Sequence, residues 1–94
     1  MPGRFDPGRP YRLSPRVALR PEPFGALAYH YGNRRLTFLK TPELVAVVRG
    51  LAGAGSARAA IAAAGVPAAG HRAYEGALAA LVRAGIVEPA DATG

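Results

Sequence analysis

The sequence predicts an α+β domain: a three-stranded antiparallel sheet followed by three α-helices, laid out like a winged helix whose wing comes first. Three observations carry that reading. Arg16-Val17-Ala18-Leu19-Arg20 alternates charged and apolar residues with the period of 2 that suits a half-buried strand, and two further short strand-like runs follow before position 40. From Thr41 to Ala84 the apolar residues recur at helical spacing, in three runs punctuated by glycine. Between two of the strand-like segments lies Gly32-Asn33, two residues that tolerate positive φ and so suit a tight hairpin turn.

The elements follow in order. Residues 1–14 are rich in Pro, Gly and Arg without periodicity and read as a flexible basic arm. Arg16-Val17-Ala18-Leu19-Arg20 alternates as a first strand with Val17 and Leu19 pointing in, and Pro21 and Pro23 are expected to end it, having no N–H to donate. Gly25–Tyr31 is a second strand, with Leu27, Tyr29 and Tyr31 on one face and Ala26, Ala28 and His30 on the other. Tyr29 and Tyr31 read as core or sheet-face residues. After the Gly32-Asn33 turn, Arg35–Leu39 forms a third strand, antiparallel to the second because so short a connection allows nothing else.

Thr41-Pro42 starts the first helix, the threonine capping free amides and the proline occupying the first helical position. Leu44, Val45, Val48 and Leu51 make its apolar stripe, and Gly53 or Gly55 ends it. Ser56 caps a short second helix, Ala57–Ala64, stopped by Gly65 and Pro67. The third runs from His71 to Ala84 with Tyr74, Ala77, Leu78, Leu81 and Val82 on one face and Gly85 as its stop. Ile86 and Val87 should fold back onto the core. The domain thus spans residues 15–88, with 89–94 a flexible tail.

Composition narrows the function. The 94 residues include no cysteine, which excludes disulfides, thiolate nucleophiles and cysteine-ligated metal centres. No run reaches the roughly 18 apolar residues a membrane-spanning helix needs, and residues 1–16 lack a signal peptide's apolar stretch. The expectation is a cytoplasmic protein with no membrane partner. The chemistry of catalysis is missing too. There is no G-x-S-x-G, P-loop or G-x-G-x-x-G, and the loose Gly50, Gly53, Gly55 cluster is followed by no phosphate-cradling basic residue. The two histidines, His30 and His71, lie on different elements. His71 with Glu75 would supply at most two metal ligands, and a catalytic zinc wants three. The chain is expected not to be an enzyme and to carry no cofactor or metal.

The net charge of +6 is uneven. Arg4, Arg9, Arg12, Arg16 and Arg20 face only Asp6 in the first twenty residues, and Arg34, Arg35 and Lys40 face only Glu22 in residues 21–41. From position 42 onward acids and bases balance, so the helices are neutral and the strand half is basic. Two binding functions fit such a chain. A DNA-binding winged helix would read bases with its third helix, yet His71–Ala84 offers only Arg72 and Arg83 among alanines, with no Asn, Gln or Lys. Nucleic acid is therefore the weaker alternative. The second function is β-augmentation. If the first strand pairs on the far side of the second, Arg35-Leu36-Thr37-Phe38-Leu39 is an edge without proline to blunt it. Arg34, Arg35 and Lys40 would then repel a second copy and attract an acidic peptide added as a further strand. A covering N-terminal arm is the competing use of the edge. Tyr74 would line the groove beside the edge or pack beneath it.

The segment Arg20-Pro-Glu-Pro-Phe-Gly-Ala-Leu-Ala-Tyr-His-Tyr-Gly-Asn-Arg-Arg-Leu-Thr-Phe-Leu-Lys40 resembles the peptide chaperones of mycofactocin biosynthesis, a PqqD-like group of precursor-peptide recognition elements. The similarity extends over about residues 11–88, and the alanine-rich helical half is its less distinctive part. The resemblance implies a non-catalytic domain that binds the leader of a small, acidic ribosomal precursor and delivers it to a radical S-adenosylmethionine (radical SAM) maturase. That enzyme, not this chain, would hold the iron–sulfur clusters. It also implies that the leader pairs with Arg35, Leu36, Thr37, Phe38 and Leu39 and packs on the third helix, where His71, Tyr74, Glu75 and Leu78 are the candidates.

Overall fold

In the computed structural model, which describes residues 4–90, the three expected strands and three expected helices all form, and a second small sheet joins the two ends of the described chain. The strands are β1 (Tyr11–Leu13), β2 (Val17–Glu22), β3 (Gly25–His30), β4 (Leu36–Leu39) and β5 (Val87–Pro89). The helices are α1 (Pro42–Ala54), α2 (Ala57–Ala63) and α3 (His71–Arg83), with a short 3-10 turn, Ala68–Gly70, leading into α3.

Local chemistry sets the helix ends. Thr41 Oγ1 accepts from the Leu44 N–H at 3.0 Å and Ser56 Oγ from the Ala59 N–H at 3.0 Å, each satisfying an amide that the first helical turn leaves without a partner. Gly55 and Gly85 stop α1 and α3 with φ of 84° and 79°, a conformation that costs glycine nothing.

The main sheet is antiparallel in the order β2-β3-β4. β2 is longer than expected: it continues through Pro21 to Glu22, and Pro23-Phe24 forms the turn into β3. The reason lies in the ladder. Tyr31 N–H donates to Arg16 O at 2.8 Å, so by antiparallel alternation Pro21 falls at a position whose backbone faces away from β3. Its missing N–H costs nothing there.

The β3–β4 loop also differs from the expected two-residue turn. His30 N–H donates to Arg35 O at 2.9 Å and Arg34 N–H to His30 O at 2.8 Å, leaving a four-residue loop, Tyr31–Arg34. The left-handed residue is Arg34, with φ of 62°, not Gly32 or Asn33. His30 Nδ1 organises the loop by accepting from the N–H groups of Gly32 (2.9 Å) and Asn33 (3.2 Å). The register, with Tyr29 opposite Leu36, is nevertheless the one a Gly32-Asn33 turn would impose.

Residues 11–13 correct the expectation of a flexible arm over 1–14. β1 pairs antiparallel with β5, and Arg12 grips Glu88 through Nε at 2.8 Å and Nη2 at 2.6 Å. Upstream, Pro7 O and Arg9 O accept from the first amides of α2, Arg58 and Ala57, both at 2.9 Å. Phe5 packs on the buried Tyr11 with ring centroids 5.1 Å apart. Residues 89 and 90 join this small sheet, Ala90 N–H donating to Pro10 O at 3.0 Å. The rest of the expected tail, 91–94, and arm residues 1–3 lie outside the described residues.

The core lies on one side of the main sheet. Ala26, Ala28 and Leu39 meet Val47, Val48 and Leu51 of α1, and the cluster continues through Ala60 and Ile61 of α2 and Leu78 and Leu81 of α3 to Ile86 and Val87. The inward face of β3 is thus the alanine face, which lets α1 approach closely. Leu27, Tyr29 and Tyr31 lie on the outer one.

Candidate functional site

β4 is an edge. It pairs with β3 on one side, and among the described residues no strand pairs with it on the other. The bonded His30–Arg35 pair sets the alternation: Thr37 and Leu39 direct their backbone groups at β3, while Leu36 and Phe38 direct theirs at the vacant side. Two N–H and two C=O groups are therefore presented along Leu36–Phe38.

α3 forms the far wall. Tyr74 OH lies 3.0 Å from Thr41 Oγ1 at the end of β4. At the other end of the helix, a methyl group at Gly85 would lie 3.7 Å from Asn33 Nδ2 in the β3–β4 loop. α3 therefore runs beside β4 in the opposite direction. Just beyond the end of β4, between α3 and the β4–α1 junction, is an open and largely apolar cavity of about 180 Å³ lined by Lys40, Thr41, Leu44, Ala73, Tyr74 and Ala77. Small-molecule sites run to roughly 300–1,000 Å³, so this volume suits one or two side chains of an extended chain.

The residues singled out from sequence separate into distinct groups. Arg34, Arg35 and Lys40 are exposed, and no carboxylate among the described residues pairs with them. Leu36 and Phe38 are each 54% exposed on the outer face of the sheet, and Thr37 is half-buried on the inner one. Leu39 is fully buried, so its side chain belongs to the core. On α3, Tyr74 lines the cavity and three of its companions do not. Leu78 is fully buried. His71 Nε2 bonds Val66 O at 2.8 Å in the α2–α3 connection, and Glu75 faces Arg58 of α2 at 4.0 Å. The helix is rotated so that Ala73, Tyr74 and Ala77 meet the groove. Thr41, Leu44, Ala73 and Ala77 are not recognisable from sequence as site residues, because a helix cap, a leucine of an apolar stripe and helical alanines carry no functional signal of their own.

No group of three metal-ligating side chains occurs among the described residues, and no helix there is long and apolar enough to cross a membrane. The exposed positions of α3 include Arg72, Ala73, Gly76, Ala80 and Arg83, which offer no amide side chain to a base edge.

Comparison with known proteins converges on one family. A family model described as the peptide chaperone MftB family matches residues 10–88. The chain is 49% identical to a protein of Mycobacterium ulcerans (strain Agy99) named peptide chaperone MftB, over 96% of this chain and 83% of that one. Proteins of the same name from Mycobacterium tuberculosis (strain ATCC 25618 / H37Rv) and Mycolicibacterium smegmatis (strain ATCC 700084 / mc(2)155) are 46% and 47% identical, covering 95% and 96% of this chain and 82% and 88% of theirs. No solved structure matches the chain.

Proposed function

This chain belongs to the peptide chaperone MftB family, and from that premise we propose that it holds the leader of an acidic ribosomal precursor peptide as an added strand on β4 and presents it to a radical SAM maturase in mycofactocin biosynthesis. The observation that carries the proposal is the vacant side of β4. The N-terminal segment that would compete for it is engaged with β5 and α2. A guest strand takes main-chain hydrogen bonds from Leu36 and Phe38, and every second side chain turns toward Tyr74, Ala77 and Leu44. Arg34, Arg35 and Lys40 supply the attraction for acidic residues. The chain contributes position and no reactive group, so the covalent chemistry belongs to the maturase.

Titration of isotope-labelled protein with the synthetic leader tests this. Amides 34–40 and the 73–77 stretch of α3 should move on binding. Movement confined to residues 4–20 would place the peptide elsewhere. A gel shift with duplex DNA at physiological salt, expected to be blank, separates the nucleic-acid alternative.

A further inference from the structure

Among the described residues, the four large apolar side chains most open to solvent are Phe24 (39%), Tyr31 (60%), Leu36 (54%) and Phe38 (54%), and they gather on the outer face of the main sheet. There they join Leu27, paired with Phe38, and Tyr29, paired with Leu36. Phe24 stacks on Phe38 with centroids 5.6 Å apart, and Tyr29 meets Tyr31 edge to face at the same distance. The opposite face is the one that α1 covers, with α2 packed on α1 and α3 on α2. A continuous exposed apolar surface of this kind marks an interaction site.

Its border decides what fits. Arg20 lies opposite Leu27 on this face, Arg16 beside Gly32, and Arg34 in the exposed loop. Glu22, in contact with Arg20 at 3.2 Å, is the acid on the β2 side. A second copy laid face to face would set these arginines against one another. The aromatic rings are stacked among themselves, which leaves fewer free faces for nucleobases than a single-strand-binding platform presents. The complementary surface is a folded protein with an apolar centre and a carboxylate rim.

We infer that the outer face of β2-β3-β4 docks the enzyme that modifies the held peptide, through an apolar patch edged with acidic residues on that enzyme. This inference rests on the proposed chaperone role. The face adjoins the β4 edge without including the α3 groove, so peptide and enzyme occupy neighbouring surfaces simultaneously.

The test is binding of purified maturase, and separately of the leader peptide, to full-length protein carrying Phe24→Ser with Tyr31→Ser, or Arg20→Glu alone. Neither variant replaces a residue of β4: Arg20 lies on β2, and although Phe24 stacks on Phe38, the double variant alters only outer-face side chains and leaves in place the Leu36–Phe38 backbone that pairs with the peptide. Each should lower affinity for the maturase at least tenfold while leaving peptide affinity within twofold, and Arg20→Glu should weaken the salt dependence of maturase binding. The control, Leu36→Pro, should lose peptide; if it does not, the peptide site is misplaced, a failure distinct from that of the docking face. Undiminished maturase affinity in both folded variants would overturn the inference. So would wild-type self-association abolished by Phe24→Ser with Tyr31→Ser, or micromolar single-stranded oligonucleotide binding that depends on the same residues.

Discussion

Gly25 shows how one residue governs the site. The backbone leaving β4 crosses it so closely that a Cβ would fall 2.1 Å from Leu39 O and 3.2 Å from Thr41 N. Those atoms are backbone and cannot swing aside, so Gly25→Ala forces β3 away from the β4–α1 junction. A loss of about 2–3 kcal/mol is expected in chemical denaturation, the upper range for overpacking. The paired leucines of β4 make the complementary prediction. Leu39→Ala opens a core cavity and should cost roughly 2–5 kcal/mol, whereas Leu36→Ala, at a half-exposed position, should stay within about 0.5 kcal/mol of wild type and weaken leader binding instead. At this scale the sequence was only partly legible. Alternation separates two faces of a strand but does not say which is buried when both are apolar, as with Ala26 and Ala28 against Leu27 and Tyr29. For the same reason Leu39 and Leu78 look like candidate contacts by position and turn out to belong to the core.

At the scale of elements, the three longer strands and the three helices follow from local signals: period, caps and glycine stops. β1 and β5 do not. Each has three residues, and their shared ion pair joins positions 76 residues apart, so nothing near either in sequence announces the other. Their pairing is nevertheless what draws the N-terminal segment away from the β4 edge. Backbone direction along β4 supplies the element's own prediction. Leu36 N–H faces the vacant side and Thr37 N–H faces β3. Leu36→Pro should therefore preserve the fold, by its circular dichroism spectrum and melting temperature, and abolish measurable leader binding. Thr37→Pro removes a ladder bond and should unfold or markedly destabilise the domain. Equal effects of the two prolines on stability would contradict the assigned hydrogen-bond direction.

For the molecule as a whole, the question is where its net charge of +6 is felt. The excess is legible in sequence as a basic strand half; its focus is not, because ion pairing depends on which elements meet. Arg12 is taken by Glu88 across the small sheet, Arg20 by Glu22 along β2, and Arg58 lies near Glu75 between α2 and α3. Arg34 and Arg35 at one end of β4 and Lys40 at the other have no carboxylate partner among the described residues, so an acidic strand added to the vacant edge meets cations at both ends, each screened over about 8 Å at physiological salt. Such charges raise encounter rates and orient the guest more than they add to stability. Arg35→Glu combined with Lys40→Glu should thus raise the leader's Kd roughly tenfold at low ionic strength, mostly through a slower association rate. Arg34 is best left in place, because its φ of 62° ties any substitution to loop strain. The variant's Kd should also depend less steeply on salt than the wild type's, and its thermal unfolding should be unchanged to within a degree or two. If the salt dependence of the two proteins were the same, the cations around β4 would have no part in drawing the peptide in, and affinity would rest on backbone pairing and the Tyr74 groove alone.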